Sequence, residues 1–588
     1  MTLTTTRRHV LAALIPCWLA TTLLGLASDG VYHDDDLTHF LIARWARWFP
    51  SYLLHIWGRP GLTAPLATVA WFGDPEVAWH AGRILSAAVT AIGAYLAAST
   101  AARLGVARPW LVVIACYSQP LNALLAATTL TENFAALYLS AAVALLIASR
   151  PLAASAVFSL LLVTRHETLA LIPLWAVAVA MVARGPQLWL AMLAVPWAPI
   201  AHNVLFRIAF GRWPVEIFFA PSGSTEYPPA GVLSYLPDAF HAIGPALPGL
   251  AIVGGRALWR RDGHRAPARR GEFDNRSVTP EGAAQKNAMA AGRFVIPAMA
   301  GAYLLIHVLI RSLGVFASGG YGRFMVAIAP LVAILAVAGI DAMTDQLRRG
   351  GSSRRAWGIV TATWLVGWLA LEQQIRIGRV GIPSHWIWVI RALIFIALIC
   401  LIGSSIPQRG ARWQRPSAAM LVVCTLFACA LTVRPLRLGE SQRVVADAID
   451  WYELHAGADA PVFATDPWIS YRLGLVEHPR AHKGPRLLAT MPVGTIVIWD
   501  AKYSDNDFHR IRRNDLDDHS AYEFLRAVGG KEGGGEIRLY RKTDETPVPQ
   551  DAAPSYPPDL AASLWPIEGV YYIRPTINEV SQRSISHD

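Results

Sequence analysis

Three consecutive carboxylates, Asp34-Asp35-Asp36, follow the first long apolar segment of the chain. Like charges at this density raise one another's pKa and favour a proton, a cation or an arginine close by. Their chemistry is that of a general base, of a divalent-metal site (Mg or Mn, at Asp34 and Asp36), or both. The same residues would serve equally well as the acidic first turn of a helix, meeting the positive end of its dipole. Four other groups carry charge at apolar boundaries. Arg59-Pro60 can pair a lipid phosphate bidentately, or sit in a turn with its guanidinium snorkelling. Glu132, in Thr131-Glu132-Asn133, starts an apolar run, where Thr131 reads as a helix cap. Arg165-His166-Glu167 puts three ionisable residues in an apolar stretch, as a ligand site or a self-neutralising Arg–Glu pair. Tyr321-Gly322-Arg323 follows two further glycines, so that backbone can approach a ligand closely; the alternative is a flexible hairpin.

The elements that must position these groups are membrane spans. Of 588 residues 54% are hydrophobic and only 16% charged, and the apolar residues come in blocks long enough to cross a bilayer. Apolar blocks and basic flanks together give about thirteen spans. The formal charge is +11, with most Lys and Arg in short loops, a pattern that sets orientation and argues against a nucleic-acid partner. Residues 9–27 form the first span, preferred as a retained anchor over a cleaved signal peptide. Residues 29–79 are then an outer loop, and residues 256–293 a basic cytoplasmic loop whose segment 260–293 reads as disordered. Within the outer loop, residues 37–48 are spaced as an amphipathic helix. It lies on the membrane surface with Trp45, Trp48 and Trp57 as interfacial anchors, or packs against the bundle, or does both. On this topology all five charged groups fall on one outer face.

The chain divides into a transmembrane domain, 1–433, and an extracytoplasmic α/β domain, 434–588. In the second, 441–455 reads as a helix and 461–465, 494–499 and 536–540 as strands. The tail beyond 543 is rich in Pro and Ser and reads as partly extended. The five cysteines all lie in apolar segments without metal-ligand spacing, which argues against a disulfide scaffold or zinc site.

A first span, an acidic motif in a large outer loop and then Arg-Pro resembles the GT-C superfamily of membrane glycosyltransferases. So do the outer Thr131-Glu132 and the Arg165-x-Glu167 turn. The closest likeness is to bacterial members related to the protein O-mannosyltransferase and aminoarabinose transferase group. His33-Asp34-Asp35-Asp36 is similar to their acidic motif, with Asp35 at the catalytic position and Asp36 in place of the usual second acid. Tyr321 to Phe324 resembles an outer loop before a late span. Ala464-Thr465-Asp466-Pro467 and Tyr471-Arg472-Leu473-Gly474 resemble the periplasmic domain of such enzymes. The triple Asp leaves the register of the base open by one residue.

The resemblance implies a polytopic α-helical GT-C fold in the inner (plasma) membrane, and an enzyme using a polyprenyl-phosphate-linked sugar. The acceptor would be a glycan, lipid or protein hydroxyl. It implies Asp35 as base, with Asp34 or Asp36 orienting it or holding a metal, and Arg59, Arg165 and Arg323 at the leaving phosphate. His166, Glu132 and Tyr321 are further substrate contacts. The alternative is a transporter or flippase for a lipid-linked glycan precursor, with the acids as a proton relay. A third possibility is a scaffold whose α/β domain binds a partner.

Overall fold

The computed structural model describes residues 3–218, 229–260, 280–314, 321–349, 354–376, 433–456, 460–477, 484–506, 509–529 and 535–546, with a few further isolated positions. The chain forms two compact units: residues 1–27, 83–204 and 219–435 in the first, and 28–82, 205–218 and 436–588 in the second. The segment read as an outer loop is therefore counted with the C-terminal region.

The first unit is a bundle of apolar helices. Among the described residues of the whole chain, five helices are long and apolar enough to cross a membrane: Thr5–Leu26, Pro75–Arg103, Gly185–Phe210, Gly282–Leu313 and Gly322–Gln346. A sixth is possible if Val232–Ile243 and Leu247–Arg260, bent by 91° at their junction, make one broken span. Three further apolar helices, Glu132–Ile147, Pro151–Thr164 and His166–Val182, are shorter. The protein is thus multi-pass; of the two last apolar blocks, 386–402 is described in part and 418–433 lies almost wholly outside the described residues. The expectation of disorder across 260–293 fails in its second half, because Pro280 opens the helix Pro280–Leu313. Proline at a first helical position loses no hydrogen bond there, and the Ala-rich sequence that follows has strong helix propensity.

Close backbone packing inside this unit depends on two glycines. A Cβ on Gly254 would lie 1.7 Å from the Leu335 carbonyl oxygen, and one on Gly339 would lie 2.1 Å from that of Leu250. Small residues at such crossings let helices meet through main-chain contact, which is the chief attraction available where lipid competes for apolar side chains.

The second unit joins the 28–82 segment to the C-terminal sheet. The sheet strands are β1 (Val462–Ala464), β2 (Ile496–Asp500), β3 (Tyr522–Gly529) and β4 (Glu536–Lys542). Their spatial order is β1-β2-β4-β3, with β1 and β2 parallel and the other pairs antiparallel. The expected helix is present as Glu440–His455, burying Val445, Ala448, Ile449 and Tyr452. β2 is buried along its whole length, as its unbroken apolar run suggested. β3 escaped the sequence reading because it lies half exposed and carries Glu523 and Arg526 rather than a clean alternation.

The helix expected at 37–48 is Asp34–Trp45, and its surroundings correct the surface-anchor reading. Eight of its residues are buried, including Leu37, Phe40 and Trp45. The Trp45 indole donates to the Leu475 carbonyl at 2.9 Å, and Tyr52 OH donates to that of Glu477 at 3.1 Å. Phe40, Trp79, Trp468 and Tyr471 form one aromatic cluster. Trp45 is therefore a core residue, since an indole whose N–H has a protein acceptor can be buried without loss. Trp57 stays half exposed. Trp48 lies beneath the guanidinium groups of Arg44 and Arg47. Asp29 and Gly30 donate backbone bonds to Leu436, which ties the two ends of the unit together.

Candidate functional site

The acidic motif is the first turn of the Asp34–Trp45 helix. His33, with extended backbone, caps it: its Nδ1 accepts from the Asp35 amide. The helix-start reading is thus correct as structure, and it also separates the three side chains. Successive helical residues are rotated by about 100°, so three carboxylates in a row face three directions. Asp34 meets the ammonium of Lys502 and accepts from the hydroxyl of Tyr503. Asp36 is fully buried. Asp35 lies between them, 3.3 Å from His33 Nδ1.

Lys502 and Tyr503 come from a turn that follows β2. Asp500 Oδ1 accepts from the amides of Lys502 at 2.8 Å and Tyr503 at 2.7 Å, closing an Asx turn. Ser504 completes it by donating its amide to the Asp500 carbonyl, and its hydroxyl pairs with Thr465 at 2.8 Å. Because β1 and β2 run parallel, their carboxyl ends bring Thr465 and Asp466 beside Asp500. Asp466 caps the helix Pro467–Arg472, accepting from the Trp468 amide at 2.7 Å. Burial, then the charges of Asp500 and Asp34, push the Asp466 carboxyl up to about 7. Burial raises Asp500 as well, and burial with the Asp34 charge raises the Tyr503 phenol.

A stability prediction follows from Asp466. The folded chain keeps a proton there that the unfolded chain releases near pH 4, so the associated stability is complete below about pH 4. It is lost as pH rises through about 7. The slope in that window is about 1.4 kcal/mol per pH unit. Asp466→Asn keeps an acceptor for Trp468 but removes the titration. Thermal unfolding in detergent between pH 4.5 and 8 is expected to show a flatter profile for the variant, which becomes the more stable of the two above pH 7.

Arg59 precedes the helix Pro60–Ala70 with a left-handed backbone, φ 61°. That conformation costs about 1 kcal/mol or more for a residue with a Cβ, and such strain concentrates at functional positions. The backbone there is held by Arg59 N–H donating to the His55 carbonyl and by Thr63 donating to that of Gly58.

The remaining sequence candidates gather in the first unit. Glu132 opens the helix Glu132–Ile147 and is 1% exposed. Arg165, extended at the end of the helix Pro151–Thr164, donates to Glu132 Oε1 and Thr131 Oγ1, each at 3.1 Å. It also donates to Glu167 Oε1 at 2.6 Å. Arg323 lies 3.3 Å from Glu132 Oε1. Tyr303 OH donates to Glu167 at 3.1 Å, and His307 Nε2 stands 3.8 Å from the same oxygen. Phe324 lies under Arg165, and Tyr321 under Arg323. Tyr321 also accepts from Tyr235 through its carbonyl at 3.3 Å. His166 is half-buried on the turn between Arg165 and Glu167.

Two sequence expectations change here. Thr131 stands at the N-cap of its helix but makes no side-chain capping bond, since its hydroxyl is engaged with Arg165 and Glu132. The Arg165–Glu167 pair exists, but it belongs to a buried network of two carboxylates and two guanidiniums rather than to an isolated turn. Buried charges persist only when paired and hydrogen-bonded. Tyr303 and His307 escaped the sequence reading, although polar side chains four residues apart in an apolar helix were a usable signal. Lys502, Tyr503 and Asp500 escaped it too, and Asp466 entered it only within a resembling motif; the signal available was Asp at the carboxyl end of each parallel strand.

Among the described residues, no three His, Cys, Asp or Glu side chains are grouped so as to hold a metal ion. Asp34 and Asp36, named above as metal donors, point to opposite sides of their helix, one onto Lys502 and Tyr503 and the other into the core. The pair does not fit a shared divalent ion.

No family model matches the chain, and no curated protein matches it. Two solved structures do. One is ArnT from Cupriavidus metallidurans in the apo state, 14% identical with a TM-score of 0.55, covering 90% of this chain and 97% of that one. The other is ArnT from Cupriavidus metallidurans bound to undecaprenyl phosphate, 13% identical with a TM-score of 0.55, covering 93% and 100%. The chain has an ArnT-like fold. At this identity the likeness concerns architecture, and it extends over nearly the whole of both chains.

Proposed function

We propose that this chain is a glycosyltransferase that moves a sugar from a polyprenyl-phosphate donor to an acceptor hydroxyl, with inversion. The chemistry would take place at the extracytoplasmic face of the inner membrane. The observation that carries this reading is the shared fold with an ArnT bound to undecaprenyl phosphate. A donor of that class keeps its lipid in the bilayer and presents sugar and phosphate at the interface, where charged residues at helix ends can reach them.

Asp35 is assigned as the base. It takes the proton of the acceptor hydroxyl as that oxygen bonds to the anomeric carbon, and the bond from that carbon to the phosphate oxygen breaks. Polyprenyl phosphate leaves with the electron pair. Guanidinium groups stabilise the charge that grows on it, worth most where water is excluded. Arg59 is assigned to that phosphate, and Arg323 keeps its candidate role there on the sequence reading alone. Arg165 is held by Glu132, Glu167 and Thr131 and orders the network as much as it binds. Glu132, His166 and Tyr321 are assigned secondary roles around the donor. The acceptor is a hydroxyl of a glycan, a lipid or a protein.

Relay acids of a transporter belong in mid-span. The charges here sit at element ends: Glu132 begins its helix, Arg165 follows one, and Arg323 is second in the turn Gly322–Ile328. The reading is tested by the stereochemistry of the product. Detergent-purified chain, given a polyprenyl-phosphate sugar and acceptor, is expected to yield a glycoside of the opposite anomeric configuration, seen by NMR. A product of retained configuration would overturn the direct displacement by Asp35.

A further inference from the structure

We propose that Lys502 and Tyr503, carried by the turn after β2, are positioning residues that clamp Asp34 and so hold the acidic first turn that carries Asp35, the assigned base. This rests on the transferase reading above.

Three adjacent carboxylates cannot all remain ionised without a counter-charge nearby. Helical rotation has already separated them, and each has a different fate. Asp36 is sealed in the core. Asp34 faces the Lys502 ammonium and the Tyr503 hydroxyl. Asp35 lies beside His33, with 16% of its side chain accessible against 31% for Asp34. The clamp comes from 468 residues away in sequence, so it exists only when the C-terminal sheet is folded onto the acidic helix. It is also preorganised. Asp500 and the Ser504–Thr465 pair fix the turn before Asp34 is considered, and the Lys502 ammonium lies 4.9 Å from the Tyr503 ring centroid. A lysine in this place supplies the positive charge that a divalent ion would otherwise bring to Asp34.

The clamp is poorly suited to a role in stability. The Lys502 side chain is 62% exposed. An ion pair so open to water contributes little to folding, with a median near zero to about 1 kcal/mol. Its effect should therefore appear in turnover rather than in the unfolding midpoint.

The test compares Lys502→Met, Lys502→Arg and Tyr503→Phe in the full-length chain, with undecaprenyl-phosphate sugar as donor. Lys502→Met is expected to lower kcat roughly 10- to 100-fold, the scale of a slight misplacement of a catalytic group, with donor KM and unfolding midpoint unchanged. Lys502→Arg is expected to recover kcat to within about threefold, because the charge is kept. Tyr503→Phe should fall between the two. Wild-type kcat in Lys502→Met, or equal impairment in Lys502→Met and Lys502→Arg, would overturn the proposal. Carboxyl footprinting with a carbodiimide and mass spectrometry reads the clamp without any transfer assay. Asp34 labelling is expected to rise several-fold in Lys502→Met and to stay at the wild-type level in Lys502→Arg. Unchanged Asp34 labelling in Lys502→Met refutes the clamp. Increased labelling in a protein whose wild type transfers nothing upholds the clamp and refutes the transferase reading instead.

Discussion

Asp35→Asn is expected to lower sugar transfer by about 10²- to 10⁴-fold, the usual contribution of a positioned general base. The substitution is nearly isosteric. The helix start does not depend on the carboxylate, because the capping bond uses the Asp35 backbone amide and His33 Nδ1. The unfolding midpoint should therefore hold while kcat falls, which separates loss of chemistry from loss of fold. The neighbouring positions give the contrast. Asp34→Asn removes the partner of Lys502 and should resemble Lys502→Met, a partial loss. Asp36 is fully buried, so Asp36→Asn should act first on yield and stability. Wild-type activity in Asp35→Asn together with Asp36→Asn would remove the acidic motif from the mechanism.

The second large effect concerns the buried network of the first unit. Glu132→Ala is expected to destabilise the protein by about 3–5 kcal/mol, the scale for breaking a buried ion pair from one side. Glu132 serves two cations, Arg165 at 3.1 Å and Arg323 at 3.3 Å. Its removal leaves Arg323 facing a guanidinium instead of a carboxylate. Glu167→Gln should cost less, because Arg165 keeps Glu132. Arg323→Met should also cost less, because Glu132 keeps Arg165. The order is read from unfolding midpoints in one detergent: Glu132→Ala lowest, the other two clearly higher. Equal midpoints for all three would show that Glu132 is not the hub.

Those two effects draw on different layers of the sequence. The apolar spans were legible because bilayer thickness imposes length on composition. The strands at 462–464, 496–500 and 536–542 were legible because buried strands form short apolar runs. The charged positions were legible as anomalies in apolar surroundings. Their partners were not. Nothing local to Glu132 indicates that Arg323 will reach it, and nothing in Ala501-Lys502-Tyr503 indicates that Asp34 lies opposite. Hydrogen bonds between residues hundreds of positions apart leave no periodicity to read. The same blindness produced two incorrect expectations. Thr131 matched the local pattern of a helix cap, and long-range pairing with Arg165 took its hydroxyl instead. Trp45 matched an interfacial anchor, and the C-terminal segment supplied its indole with the Leu475 carbonyl. In both cases tertiary hydrogen bonding outweighed a local preference worth about 1 kcal/mol.

The central claim is that this chain breaks the bond between sugar and lipid phosphate rather than moving the intact donor. It is tested most directly in vesicles containing the purified full-length chain and a polyprenyl-phosphate sugar labelled in both lipid and sugar. Addition of acceptor is expected to release free polyprenyl phosphate in step with labelled glycoside, and Asp35→Asn is expected to suppress both. Passage of the intact, doubly labelled donor from one leaflet to the other, with no free polyprenyl phosphate formed, would contradict the account.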